Sequence, residues 1–232
     1  MVVSLSLQYS AVYNIVLVIM ALWLWLMRKD KLSEYKILLF FLISGMVTSY
    51  IDFLTYPIAV VGILSVLSVH TLGVEWRNIL FTFKNIVYWG IGYIGMWVGK
   101  WLMGSIILRK NLFEDAVEQF LLRASSGNAS NNRLDGIRDN LGIYSNKIFV
   151  CLFAVLIIYS IIVLWRMKIK VKREQWLEIG SYGIIMLMPF VWMFLAANHS
   201  QEHAWFVHRG LSVSVLALGS IFICLKEKSS TS

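Results

Sequence analysis

Long apolar blocks separated by short polar stretches dominate the chain, and each block is too continuous to be the buried stripe of a soluble helix. The first runs from about Leu5 to Met27 and stops at Arg28-Lys29-Asp30-Lys31. The second runs from Ile37 to about Tyr50 and leads to Asp52, and Pro57 opens a third that ends near Leu72. The fourth covers Ile86 to Leu108, the fifth Ile148 to Trp165, the sixth Leu177 to about Ala197, and the seventh Ala204 to Leu225. Blocks of roughly 20 apolar residues have the length of a membrane crossing. The pattern predicts an all-α polytopic transmembrane bundle of about seven spans, a single transmembrane domain over 1–232 in the cell membrane.

Between the fourth and fifth blocks lies a polar stretch, Arg109 to Lys147. Within it Leu112, Phe113, Ala116, Val117, Phe120 and Leu121 recur at helical spacing, opposed by Glu114, Asp115 and Glu118. Such a helix would lie in the membrane interface. Residues 125–132, rich in Ser, Gly and Asn, read as a flexible joint that carries an Asn128-Ala129-Ser130 sequon.

Composition agrees: 59% of the 232 residues are hydrophobic and 15% charged, against about 45–50% and 25% in soluble domains. There are 21 Lys+Arg against 13 Asp+Glu. Thirteen of those basic residues fall in 28–36, 73–85, 166–176 and 226–232. The short stretches on the other side carry one, Arg209. The positive-inside rule then places the N-terminus outside, the C-terminus in the cytoplasm and 109–147 outside. Basic residues gathered in short loops face anionic lipid, so the lipid bilayer rather than nucleic acid is the partner. The two cysteines, Cys151 and Cys224, lie in apolar blocks and read as small buried hydrophobes.

Ionisable residues inside spans cost several kcal/mol, on the order of 2.5–3.5 on insertion scales, so each marks a candidate site. Asp52 follows Thr48-Ser49-Tyr50-Ile51 at the outer end of span two, where it could be a catalytic base or a helix-capping carboxylate. Lys100 stands near Gly92, Gly95 and Gly99, the last two forming a small-xxx-small face for close helix contact. Asn198, His199 and His203 cluster at the outer junction of spans six and seven, followed by His208 and Arg209. In a helix His199 and His203 share a face. His199-Ser200-Gln201-Glu202-His203 also fits the H-x-x-E-H zinc pattern, but the soluble fold of such proteases is foreign to this chain, and neither a metal nor a cofactor is expected. Arg209 offers a planar fork for phosphate, and Asn198, His199 and His203 offer hydrogen bonds to hydroxyls.

Three segments carry a resemblance. They are Thr48-Ser49-Tyr50-Ile51-Asp52-Phe53-Leu54-Thr55-Tyr56-Pro57, the run Trp89 to Trp101, and Asn198-His199-Ser200 with His203, Phe206 and Arg209; Arg133-Leu134-Asp135 adds to them. Together they resemble the C-terminal half of Gram-positive bacterial polytopic membrane proteins of the GT-C-type glycosyltransferase class. The resemblance implies transfer of a sugar from a polyprenyl-phosphate carrier at the outer membrane face, for cell-surface glycan assembly. Asp52 would then be a base or orient Lys100, Lys100 and Arg209 would neutralise phosphate, and Asn198, His199 and His203 would hold sugar hydroxyls. In that class the catalytic carboxylate usually sits in the first outer loop, within an N-terminal half this chain does not contain. Enzyme action therefore calls for that half or for a larger membrane glycosyltransferase as partner. A transporter or flippase component and a non-catalytic partner subunit stand as the rival readings.

Overall fold

The computed structural model describes residues 2–28, 33–51, 57–72, 78–125, 132–145 and 173–227, with isolated positions between 147 and 162. Every element among the described residues is helical. The chain divides into two compact units, 1–121 and 122–232. Four helical stretches are long and apolar enough to cross a membrane: Glu34–Ile51, Ile79–Leu108, Gln175–Leu195 and Ala204–Leu225. This is a multi-helix membrane protein.

The first unit holds α1 (Val2–Met27), α2 (Glu34–Ile51), α3 (Pro57–Thr71), α4 (Ile79–Leu108) and the start of α5 (Phe113–Ala124). These follow the first four predicted blocks, with one shift: α4 begins at Ile79 rather than Ile86. The reason is local. The Asn78 side chain accepts from the Phe81 amide and caps a new helix there, drawing Lys84 out of the expected loop. Lys84 forms a salt bridge with Glu34 at the start of α2.

α2 and α4 run parallel. Glu34 meets Lys84 near their first turns, and Ser49 meets Lys100 near the end of α2, at separations of 50 and 51 residues. Between those contacts the two backbones touch. A Cβ on Gly45 would lie 2.0 Å from the Trp89 carbonyl oxygen, and one on Gly92 would lie 2.0 Å from that of Leu42. Only glycine tolerates such an approach. The expectation that Gly95 and Gly99 form the packing face is not met by α2: among the described residues a Cβ at either would meet nothing within 4 Å. Gly92 sits where the two backbones touch, beside the buried Trp89 and Tyr93, whereas Gly95 and Gly99 lie about one and two turns further along α4.

At about 1.5 Å per residue α4 is roughly 45 Å long, more than the hydrocarbon core of about 30 Å. It ends where Arg109 takes a left-handed conformation, φ 51°. The chain then doubles back, with the Leu112 amide donating to Ser105 Oγ at 3.0 Å and Phe113 set edge-on to Trp101. α5 is amphipathic as its spacing predicts, with Val117, Phe120 and Leu121 exposed.

The second unit contains α6 (Arg133–Gly142), α7 (Arg173–Leu195), α8 (Ala197–Glu202), α9 (Ala204–Val207), a 3-10 turn (His208–Gly210) and α10 (Leu211–Glu227). α7 continues through Pro189. It packs antiparallel on α10, held by Gln175 Nε2 to the Cys224 carbonyl at 3.3 Å and by Ser214 Oγ to the Met186 carbonyl at 2.7 Å. The seventh predicted block thus opens with a short helix and a tight turn instead of one continuous rod. Cys224 is buried as expected, whereas Cys151 is exposed. Most of the predicted fifth span and the Asn128 sequon lie outside the described residues.

Candidate functional site

In the first unit the candidate centre is the C-terminal end of α2. A helix leaves its last four carbonyls without intrahelical partners, and its partial negative charge favours a cation there. Lys100 answers both needs. Its Nζ donates to the Ser49 carbonyl at 2.7 Å and lies 4.9 Å from the centre of the Trp97 ring and 5.6 Å from that of Tyr50. Trp101 packs beside Trp97 with ring centres 6.0 Å apart. A carbonyl and two aromatic faces carry no net charge, so they hold the ammonium without neutralising it. Asp52, the proposed carboxylate, lies outside the described residues.

Further along the same bundle, α4 turns a polar row inward. Thr82 and Asn85 are buried to within 1%. Thr82 Oγ1, both amide atoms of Asn85 and the indole nitrogen of Trp89 lack hydrogen-bond partners among the described residues. Within an apolar block such groups are costly, and their hydrophobic neighbours hid them from the reading of ionisable residues alone.

The second unit brings Asn198, His199 and His203 together at the α7–α8 junction. His203 caps α8 rather than belonging to it; its amide donates to the His199 carbonyl at 3.1 Å, and the two rings lie with centres 4.8 Å apart. Their common neighbour is Phe206. His203 stacks on it at 5.1 Å with planes 20° apart, and His199 meets it obliquely at 5.9 Å. The Asn198 amide donates to the Ser125 carbonyl at 2.9 Å, tying the junction to the end of α5. Asn198 and His199 are buried, His203 and Arg209 partly so. Glu202 is exposed and His199 buried, and among the described residues no three His, Cys, Asp or Glu side chains are grouped so as to hold a metal ion. Lys100 belongs to the first unit and the histidine junction to the second.

The sequence reading passed over α6, the helix that walls this junction. Asn132 and Asp135 form a capping box that starts it, with the Asn132 amide donating to Asp135 Oδ2 at 2.6 Å. That signal was present in Asn132-Arg133-Leu134-Asp135. Gly136 lets α6 seat closely: a Cβ there would lie 2.8 Å from the Met193 carbonyl oxygen and 3.3 Å from that of Ala197. One turn on, Asn140 Nδ2 donates to the Gly136 carbonyl at 2.7 Å and to the Ser200 carbonyl at 2.8 Å. Met193, Val207 and Leu211 form the apolar floor, packed against Ile137, Tyr144, Trp192 and Phe206. His208 donates through Nδ1 to the Ala204 carbonyl at 2.8 Å and meets Tyr144 edge-on at 5.5 Å. Burial pushes the Tyr144 phenol above its ordinary pKa, because the phenolate would lose hydration.

Comparison of the chain with protein-family models, curated proteins and solved structures finds no match.

Proposed function

We propose that the chain is a GT-C-like membrane glycosyltransferase, or its C-terminal part, working at the outer face on a sugar linked to polyprenyl phosphate. Lys100 carries the reading. It is an ammonium in a spanning helix whose described partners are a backbone carbonyl and two aromatic rings. A positive charge held by groups without net charge among the described residues suits a phosphate headgroup, whose leaving charge it would stabilise. In the second unit, taken by itself, Arg209 would offer phosphate a bidentate fork, and the imidazoles of His199 and His203 with the amide of Asn198 would meet sugar hydroxyls. Asp52 would act as base or orient Lys100.

The seven-span order with an outer N-terminus belongs to the same proposal. It is supported by the parallel course of α2 and α4, as alternate crossings require, and by the Glu34–Lys84 pair at the end assigned to the cytoplasm. The exposed apolar edge of α5 supports its place in the outer interface, where Trp97 and Trp101 form part of an aromatic belt.

The deciding experiment replaces Lys100 and Arg209 with alanine, one at a time, in cells that carry the chain together with its transferase partners. Sugar transfer to the cell surface is lost in both while the chain accumulates normally. Unchanged surface glycan in both variants overturns the proposal.

A further inference from the structure

Two polar atoms at the α6–α8 contact are left without hydrogen bonds among the described residues. Asn140 and Ser200 are fully buried, yet Asn140 Oδ1 and Ser200 Oγ have no hydrogen-bond partner among the described residues. Their neighbours on the same side chains and backbone are fully used. Asn140 Nδ2 makes two bonds, and the Ser200 carbonyl accepts one of them. The two unpaired atoms therefore belong to residues already joined across the contact. Ser200 does not follow Ser44, Thr48, Ser68, Ser181 and Ser220, whose hydroxyls donate to a carbonyl three or four residues back. A buried carbonyl oxygen costs free energy when it lacks a donor, and a buried hydroxyl does so too. A site built for a hydrogen-bonding ligand tolerates that cost, because the ligand supplies the missing partner.

The chemistry of the pair is narrow. Asn140 Oδ1 only accepts, while Ser200 Oγ both donates and accepts. A neutral hydroxyl, of a sugar or of a buried water, has the capacity to meet both, giving its proton to Asn140 and taking one from Ser200. A phosphate oxygen has no proton for Asn140 at neutral pH, and a cation offers Ser200 no acceptor. Beside them lies an apolar floor of Met193, Val207 and Leu211 with Trp192 against it, whose indole nitrogen is also buried without a hydrogen-bond partner among the described residues; such a surface suits the apolar face of a sugar ring. We propose that Asn140 and Ser200 receive a hydroxyl of the sugar, so that α6 of the outer loop forms one wall of the sugar site. This rests on the reading that the junction takes a lipid-linked sugar, and it adds residues that the histidine cluster alone does not indicate. Both atoms are shut off from solvent, so α6 must separate from α8 by about the width of a hydroxyl as the sugar enters.

The test uses the full chain in lipid nanodiscs and two probes, decaprenyl-phosphate glucose and decaprenyl phosphate. Ser200→Ala removes the unpaired hydroxyl and leaves the Asn140 bond to the Ser200 carbonyl intact. It weakens binding of the glucose lipid about tenfold, the loss of one hydrogen bond, and leaves binding of the bare phosphate lipid unchanged. Ser200→Thr, which restores a hydroxyl, recovers the affinity; a purely structural role would not track the hydroxyl in this way. Equal binding of the glucose lipid by wild type and Ser200→Ala, with Ser200→Ala melting higher, overturns the inference, for the hydroxyl is then only an unpaired core group. In that case loss of both lipids by Lys100→Ala leaves the broader proposal standing. Wild-type chain that binds neither lipid overturns both.

Discussion

Gly45 lies against the backbone of Trp89 so closely that an added Cβ would come within 2.0 Å of the Trp89 carbonyl oxygen, and Gly92 meets Leu42 in the same way. The two contacts fix the crossing of α2 and α4 and hence where Lys100 meets Ser49. Gly45→Ala and Gly92→Ala each push two backbones apart, and each lowers stability by about 1–3 kcal/mol or more, the range for overpacking. Gly95→Ala and Gly99→Ala meet no neighbour among the described residues and gain about 0.5–1 kcal/mol from helix propensity. Thermal unfolding of the four variants in one detergent checks the contrast, and a similar loss in all four contradicts it.

Helices were legible because apolar blocks long enough to cross a bilayer leave little choice of structure. α2, α3 and α4 accordingly appear near their expected places. What the blocks could not convey was where along their length two helices touch. Gly92, Gly95 and Gly99 share one helical face, but only Gly92 sits at the backbone contact with α2. The site was legible in the same partial way. His199 and His203 come together because four residues make one helical turn, whereas Asn140 joins Ser200 across 60 residues, a pairing that no local pattern carries. Its one trace was the capping box at Asn132 and Asp135.

Asn85 is the clearest unpaired group in the first unit, with neither end of its amide bonded among the described residues. Asn85→Leu keeps the volume and removes the desolvation cost. The variant is more stable by about 1–3 kcal/mol, the cost of an unsatisfied buried group. Guanidinium or thermal denaturation measures it, and a loss of stability would show that the amide is bonded in the membrane.

Tyr144 gives the second unit a dependence on alkaline pH. Its phenol is raised by burial, so folding favours the protonated form. That contribution is fully present below the unfolded pKa of about 10 and is lost as pH rises through the higher folded value. Between pH 9 and 11 the wild type therefore loses more stability than Tyr144→Phe. Parallel melting curves over that range would contradict the assignment.

The central claim is that the Lys100 end of the first unit and the histidine junction of the second both open away from the cytoplasm. Single cysteines settle it in a chain whose Cys151 and Cys224 are replaced by alanine, treated with a membrane-impermeant maleimide on intact cells. Arg138→Cys and Glu202→Cys label at once. Ser33→Cys, before the first turn of α2 and opposite the Lys100 end, labels only after permeabilisation. Labelling of Ser33→Cys from outside, or of Arg138→Cys and Glu202→Cys only from within, contradicts the account.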